Sequence, residues 1–178
     1  RELLKNSKLR LNALRNQKFR EDIAKLQQQQ DWLGVDNLIR QNWEGGIVEA
    51  DERLLNIWVG ALQNQKDWTG ILNLYKKLKL KGPNKFESTA DLIWQAEANQ
   101  SLNRPKEAIT LYEHSIKKML AGDERFAAIS NRLAVLYENG DDYQKQMKIY
   151  EELYAQEKSP KFRQQYALKA GLIGLDKL

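Results

Sequence analysis

Residues 138–154, ENGDDYQKQMKIYEELY, place Tyr143, Tyr150 and Tyr154 seven and four residues apart behind a Gly-Asp-Asp turn. At about 3.6 residues per turn, that spacing sets the three rings along one side of a helix. Asp142 precedes the first ring, where a carboxylate can accept hydrogen bonds from the exposed amides of the first turn. The same Asp-aromatic pair recurs as Asp31-Trp32 and Asp67-Trp68, each just after a polar turn, and in NRPKEAITLYEHSI the aromatic slot is taken by Pro105, whose fixed φ suits a first helical position. Trp32, Trp68, Pro105 and Tyr143 lie 36, 37 and 38 residues apart.

Other columns keep that step. Leu38, Leu74, Leu111 and Ile149 form one, Ile39, Tyr75, Tyr112 and Tyr150 the next, and Val35, Ile71, Ala108 and Gln146 a third that is apolar three times out of four. Upstream of each mark lies a second helical pattern: Phe19, Ile23 and Leu26; Leu55, Trp58, Val59 and Leu62; Leu92, Ala96 and Asn99; Leu133, Ala134 and Tyr137. The joining turns QQQQD, QNQKD, SLNR and ENGDD are short enough to force antiparallel pairs. Links between pairs carry Gly45-Gly46, Gly82-Pro83, Gly122 and Ser159-Pro160, which stop helices. The pattern predicts one all-α solenoid over 1–178, with repeats at 17–46, 51–83, 88–121 and 126–158 and partial helices at 1–16 (Leu4, Leu11, Leu14) and 160–178 (Phe162, Tyr166, Leu168, Ala170). Tyr143 and Tyr150 are read as core residues, as are Trp32, Trp58 and Trp68.

Composition agrees with helices. The chain has 178 residues, 42% apolar, with three prolines and no sustained run of Val, Ile and Thr. Its 29 basic and 24 acidic residues are interleaved, for a net charge of +5, so charge bears on steering and not on a specific ligand. Without cysteine there are no disulfides, thiolate chemistry or cysteine-held metals. No apolar run approaches the roughly 20 residues of a membrane span. The chain begins at Arg1 and is expected to be a piece of a longer or processed protein; bacterial cytoplasm and periplasm are both compatible with it.

These repeats resemble tetratricopeptide repeats, which combine a small residue and an aromatic in the first helix with an aromatic, an Ala and a second aromatic in the next. The fourth copy carries the resemblance best, through Ala134, Tyr137, Gly140, Tyr143 and Tyr150, and the third supplies Ala96, Ala108 and Tyr112. Ile23, Val59 and Gln146 depart from the pattern, and the step exceeds the usual ~34, so Sel1-like and pentatricopeptide arrays stay open. The resemblance implies a right-handed α-α superhelix whose first helices line a concave groove that holds a peptide or protein partner. It implies a scaffold and not an enzyme, with no cofactor, serving a larger bacterial protein or assembly in envelope assembly, secretion or polysaccharide export.

Mapped by the repeat step, the groove residues are Arg20 and Gln27, then Arg53, Asn56 and Gln63, then Trp94 and Glu97, then Asn131, Arg132 and Glu138. Arginine can clamp a carboxylate, asparagine can pair with a peptide backbone, and Trp94 can anchor an apolar side chain. The family's two-carboxylate clamp needs a Lys and two Asn on consecutive first helices. Here Arg20, Ala24 and Ile57 stand near those places, so a chaperone's acidic tail is not the expected partner. The alternative is a helical-repeat module for RNA or another polyanion, for which Lys76, Lys77, Lys79, Lys81 and Lys85 in YKKLKLKGPNK are the nearest candidates, although cations at a helix C-terminus are accounted for by its dipole. Nucleic acid is thus the less expected partner. His114 is the sole histidine and lacks a second ligand of its kind. No Gly-rich phosphate loop, Ser-His-Asp set or metal-ligand spacing is present.

Overall fold

A computed structural model describes residues 2–46, 51–81 and 87–177, with the backbone alone at 2–10, 12 and 81. Among the described residues it contains nine α-helices and no strand: α1 (Glu2–Gln28), α2 (Trp32–Glu44), α3 (Glu52–Asn64), α4 (Trp68–Lys81), α5 (Thr89–Ser101), α6 (Pro105–Lys118), α7 (Arg125–Asn139), α8 (Tyr143–Gln156) and α9 (Pro160–Asp176). The chain is all-helical. It divides into two compact units, Arg1–Ile71 and Leu72–Leu178, with the division inside α4.

The turns between α1 and α2, α3 and α4, α5 and α6, and α7 and α8 are four copies of one backbone device. Gln30, Lys66, Asn103 and Asp141 have φ of 55°, 56°, 55° and 57°, in the left-handed region. They repeat at the steps of 36, 37 and 38 seen in the side-chain columns. At each turn the next residue's N–H donates back over the turn, from Asp31 to Leu26, Asp67 to Leu62, Arg104 to Asn99 and Asp142 to Tyr137, all at 2.9 Å. The left-handed residue itself donates to Gln27, Gln63, Gln100 or Glu138 at 2.9–3.1 Å. These are the paired bonds of a Schellman motif, which closes the carbonyl end of one helix. The next helix then opens on a cap: Asp31 accepts from Gly34 N–H at 2.9 Å, Asp67 from Gly70 N–H at 2.8 Å and Asp142 from Lys145 N–H at 3.3 Å. A β-carbon at Gly34 or Gly70 would fall 2.4 or 2.1 Å from the capping carboxylate, so glycine leaves the room that lets these two caps close tightly. Arg104 makes no side-chain cap, and Pro105 starts α6 instead.

α1 runs unbroken through the expected boundary near residue 16, because no Gly or Pro interrupts it. Leu11 and Leu14 are exposed on it, and the side chain of Leu4 lies outside the described residues. The link at Gly82-Pro83 also lies outside them. Gly46 and Gly122 have φ of 68° and 85°, so both breakers hold a conformation that costs a larger residue energy.

In the first unit α2 packs on α1 and α3 on α2. Ile23, Val35, Ile39, Leu55, Val59 and Leu62 are buried, with Trp58 and Trp43 meeting edge to face at 5.3 Å between ring centroids. The buried Asp36 carboxylate ties α2 to α3. It accepts from Trp58 Nε1 at 2.6 Å and from one Arg40 guanidinium nitrogen at 2.9 and 3.0 Å. Because a buried charge is costly unless hydrogen-bonded, these donors are a condition of the packing.

In the second unit α5 to α9 pack each on the next. Ala96, Ala108, Tyr112, Leu133, Ala134, Tyr137 and Tyr150 belong to its core. The buried tyrosines use polar partners: Tyr75 donates to Asp91 at 2.8 Å, Tyr112 to Gln100 at 3.0 Å, and Tyr137 to Glu113. Burial pushes the Tyr75 and Tyr137 hydroxyls well above their ordinary pKa, and the adjacent carboxylates push the same way. Gln146 is buried like the apolar members of its column.

Two core expectations need correction. Tyr143 is half-exposed, with its hydroxyl donating to Asp141 at 2.7 Å, and Trp32 and Trp68 are likewise only partly covered. As the first residue of its helix, each mark lies at the rim of the pair. On α9 the packed side is Tyr166, Ala170 and Ile173, while Phe162 and Leu168 are exposed. That i, i+4, i+7 set matches Ser130, Ala134 and Tyr137 on α7, so α9 packs like a further first helix. Two cations from α9 and Lys177 just after it sit over the three tyrosines of 138–154: Lys177 over Tyr143 at 5.2 Å, Lys169 over Tyr150 at 4.9 Å and Arg163 over Tyr154 at 4.6 Å. Descending α9 numbers against ascending α8 numbers make the two helices antiparallel.

A non-glycine residue in the left-handed region carries strain of about 1–2 kcal/mol, partly offset by its smaller entropy loss on folding relative to glycine. Lys66→Gly is therefore expected to raise the unfolding free energy by roughly 0.5–1 kcal/mol, read as a shifted urea midpoint at constant slope, whereas Lys66→Ala brings no gain. Trp58→Phe, which takes a donor from Asp36, is expected to cost about 2–4 kcal/mol. Asp36→Asn in that background should then cost less than Asp36→Asn alone, as a double-mutant cycle would measure.

Candidate functional site

The expected groove residues fall into two groups. In the first unit, Arg20 on α1 and Arg53 on α3 converge on a cavity of about 410 Å³ between those helices. Gln27, Asn16 and Asp51 complete its polar rim, and Phe19, Ile23, Ala24, Leu54 and Ile57 form its apolar part. Both arginines are exposed and have no hydrogen-bond or ion-pair partner among the described residues. Asp51 is engaged as the cap of α3, accepting from Leu54 N–H at 2.7 Å. Among the described residues the cavity thus presents two guanidinium groups and one carboxylate committed to its own helix. Asn56 is exposed on α3 but does not line it.

The second unit treats its candidates differently. Arg132 on α7 makes an ion pair with Glu97 on α5, near the buried Tyr112, whose pKa rises chiefly through burial. Asn131 donates to Ala127 O at 2.8 Å and lies 3.5 Å from the Tyr166 hydroxyl. These side chains link α7 to α5 and to α9. Their first ligands are one another, and a partner would have to compete for them. Trp94 is half-buried on α5, and Glu138 is exposed at the end of α7.

Asn16 and Asp51 were missed in the sequence reading. Asn16 precedes Arg20 by one helical turn, so register alone could have found it. Asp51 reads as an N-cap and gives no hint of a cavity. His114 is exposed on α6. Among the described residues, no group of three or more His, Asp or Glu is placed to hold a metal ion, and no helix is long and apolar enough to cross a membrane. The basic stretch exposes Lys76, Lys77 and Lys79 on α4, while the side chains of Lys81 and Lys85 lie outside the described residues.

A second cavity, of about 280 Å³, lies between the α6–α7 link and the end of α8, lined by Asp123, Phe126, Leu153, Gln156 and Glu157 among others. Its acidic edge is neutralised locally. Arg125 grips Asp123 through Nε at 2.9 Å, a terminal nitrogen at 2.7 Å and its own backbone N–H at 3.0 Å.

No protein-family model, curated protein or solved structure matches this chain.

The Arg125 contacts hold the Asp123 carboxyl down at about 2. Because the folded value is lowered, this contribution to stability is present above the ordinary carboxylate range and lost as pH falls toward 2. Carbon-detected NMR is expected to show Asp123 titrating near 2, and Arg125→Gln to return it to the ordinary carboxylate range.

Proposed function

We propose that this chain is an interaction module: a tetratricopeptide-like array whose helix pairs wind in a right-handed sense and whose first-helix faces hold a partner peptide or protein for a larger assembly. The observation that supports this reading is the cavity between α1 and α3, where two guanidinium groups without partners among the described residues stand over apolar side chains. A folded chain gains little by leaving two arginines converged and unpaired, since like charges in one place repel. Such an arrangement suits a ligand that brings the missing charge and an apolar group together. The repeat architecture adds a reason, because stacked helix pairs create extended surfaces suited to chain segments.

Selection of linear peptides from a display library on the immobilised chain tests the reading. Recovered peptides, resynthesised and measured singly, are expected to bind competitively with one another. The double change Arg20→Ala and Arg53→Ala should weaken them by about tenfold or more, the worth of one or two charge-assisted hydrogen bonds, while Lys76→Ala and Lys79→Ala leave them unchanged. Failure to recover any binder, or indifference to changes at Arg20, Arg53 and Trp94, would overturn it. Tight binding of generic RNA that collapses with added salt would instead favour a polyanion-binding module.

A further inference from the structure

The geometry points to the chemistry of the partner in the first unit: an acidic side chain within a peptide, next to an aliphatic or aromatic one, with its carboxylate held by Arg20 and Arg53. This rests on the peptide-binding reading and narrows it. The charge argument is local. Among the described residues Arg20 and Arg53 are the cavity's two cations, and its one carboxylate, Asp51, is already bonded to the backbone of α3, so this part of the rim is electropositive. Guanidinium forks bind carboxylates bidentately, and two of them from separate helices fix its position as well as its charge.

What lies beside the arginines decides what else the ligand carries. Ala24 and Ile57 project no polar atom from their side chains, and Leu54 adds a further apolar surface. A chain terminus with two carboxylates would bring one negative charge too many, because Asp51 already offsets one of the two arginines and Ala24 and Ile57 supply no further cation. One carboxylate with an apolar neighbour leaves no charge unmatched. The volume, about 410 Å³, admits a pair of side chains and not a folded domain. The Glu97–Arg132 pair shows the same recognition made internally in the second unit, with the acid supplied by α5.

The test uses the full chain with isotope-labelled methyl groups and two small probes, N-acetylleucine as its anion and N-acetylleucinamide. Saturable shifts of the Ile23, Ala24, Leu54 and Ile57 methyls are expected with the anion, and binding about tenfold weaker is expected for the amide, and for the anion against Arg20→Gln/Arg53→Gln protein. Inorganic phosphate, which lacks the apolar group, should move them less than the anion does. Equal shifts from anion and amide, or no saturable shift with the anion up to tens of millimolar, overturn the assignment. Display-selected peptides separate the two claims. Peptides that bind in this cavity without an acidic residue remove the carboxylate assignment and leave the interaction module standing. A chain that takes N-acetylleucine but yields no peptide keeps the subsite and loses the module.

Discussion

Reversing a helix within two or three residues leaves carbonyls at one end and amides at the next without intrahelical partners. Each reversal inside a pair answers that constraint in one way. A left-handed residue turns the chain, a bond across it closes the outgoing helix, and an aspartate or a proline opens the next. Since the turn sets where the second helix begins, it also sets which side chains of the two helices face each other. The columns Val35, Ile71, Ala108, Gln146 and Ile39, Tyr75, Tyr112, Tyr150 are buried in every copy because the turn before them has the same shape. Glycine is absent from all four left-handed positions; Asn103 and Asp141 are residue types that adopt this conformation readily, whereas at Gln30 and Lys66 long-range packing sustains what local preference disfavours.

Within that frame, polar groups act as ties between helices. Asp36 joins α2 to α3, Asp91 joins α4 to α5, Glu113 joins α6 to α7, and Glu97 with Arg132 joins α5 to α7. Each is an acid meeting a donor from another helix in partly or wholly buried surroundings, where such bonds are strong and their loss is costly. Ser130 Oγ is the one buried side-chain polar atom without a partner among the described residues, at a position where the other first helices place Phe19, Leu55, Leu92 and Tyr166. On α9 and just after it the same principle works at the surface, where Arg163, Lys169 and Lys177 cover tyrosine rings of α8. A helix without a fully buried residue is held there by cations over aromatic faces as well as by apolar contact.

The helical pattern, the pairing and the repeat step were legible because they depend on neighbours in sequence. Apolar spacing reports a helix face, and Asp or Pro before an aromatic or apolar run reports a helix start. The same reasoning misjudged Tyr143, since an aromatic at the first helical position lies at the rim of its pair. It also placed a break near residue 16 on the strength of the repeat boundary alone, where there is no Gly or Pro to make one.

Sequence by itself determined that the chain is helical, where its helices turn back and that the Val35 and Ile39 columns are buried, because caps, turns and apolar periodicity act over a few residues. It also named the polar faces from which Arg20, Arg53, Glu97 and Arg132 project. Only the tertiary structure decided their fates. Arg132 meets Glu97 across 35 positions and becomes part of the scaffold, while Arg20 and Arg53 meet over an open cavity and keep their charges unpaired among the described residues. The difference depends on which carboxylate comes within reach across two helices, and that distance is not written in the spacing of residues along either one.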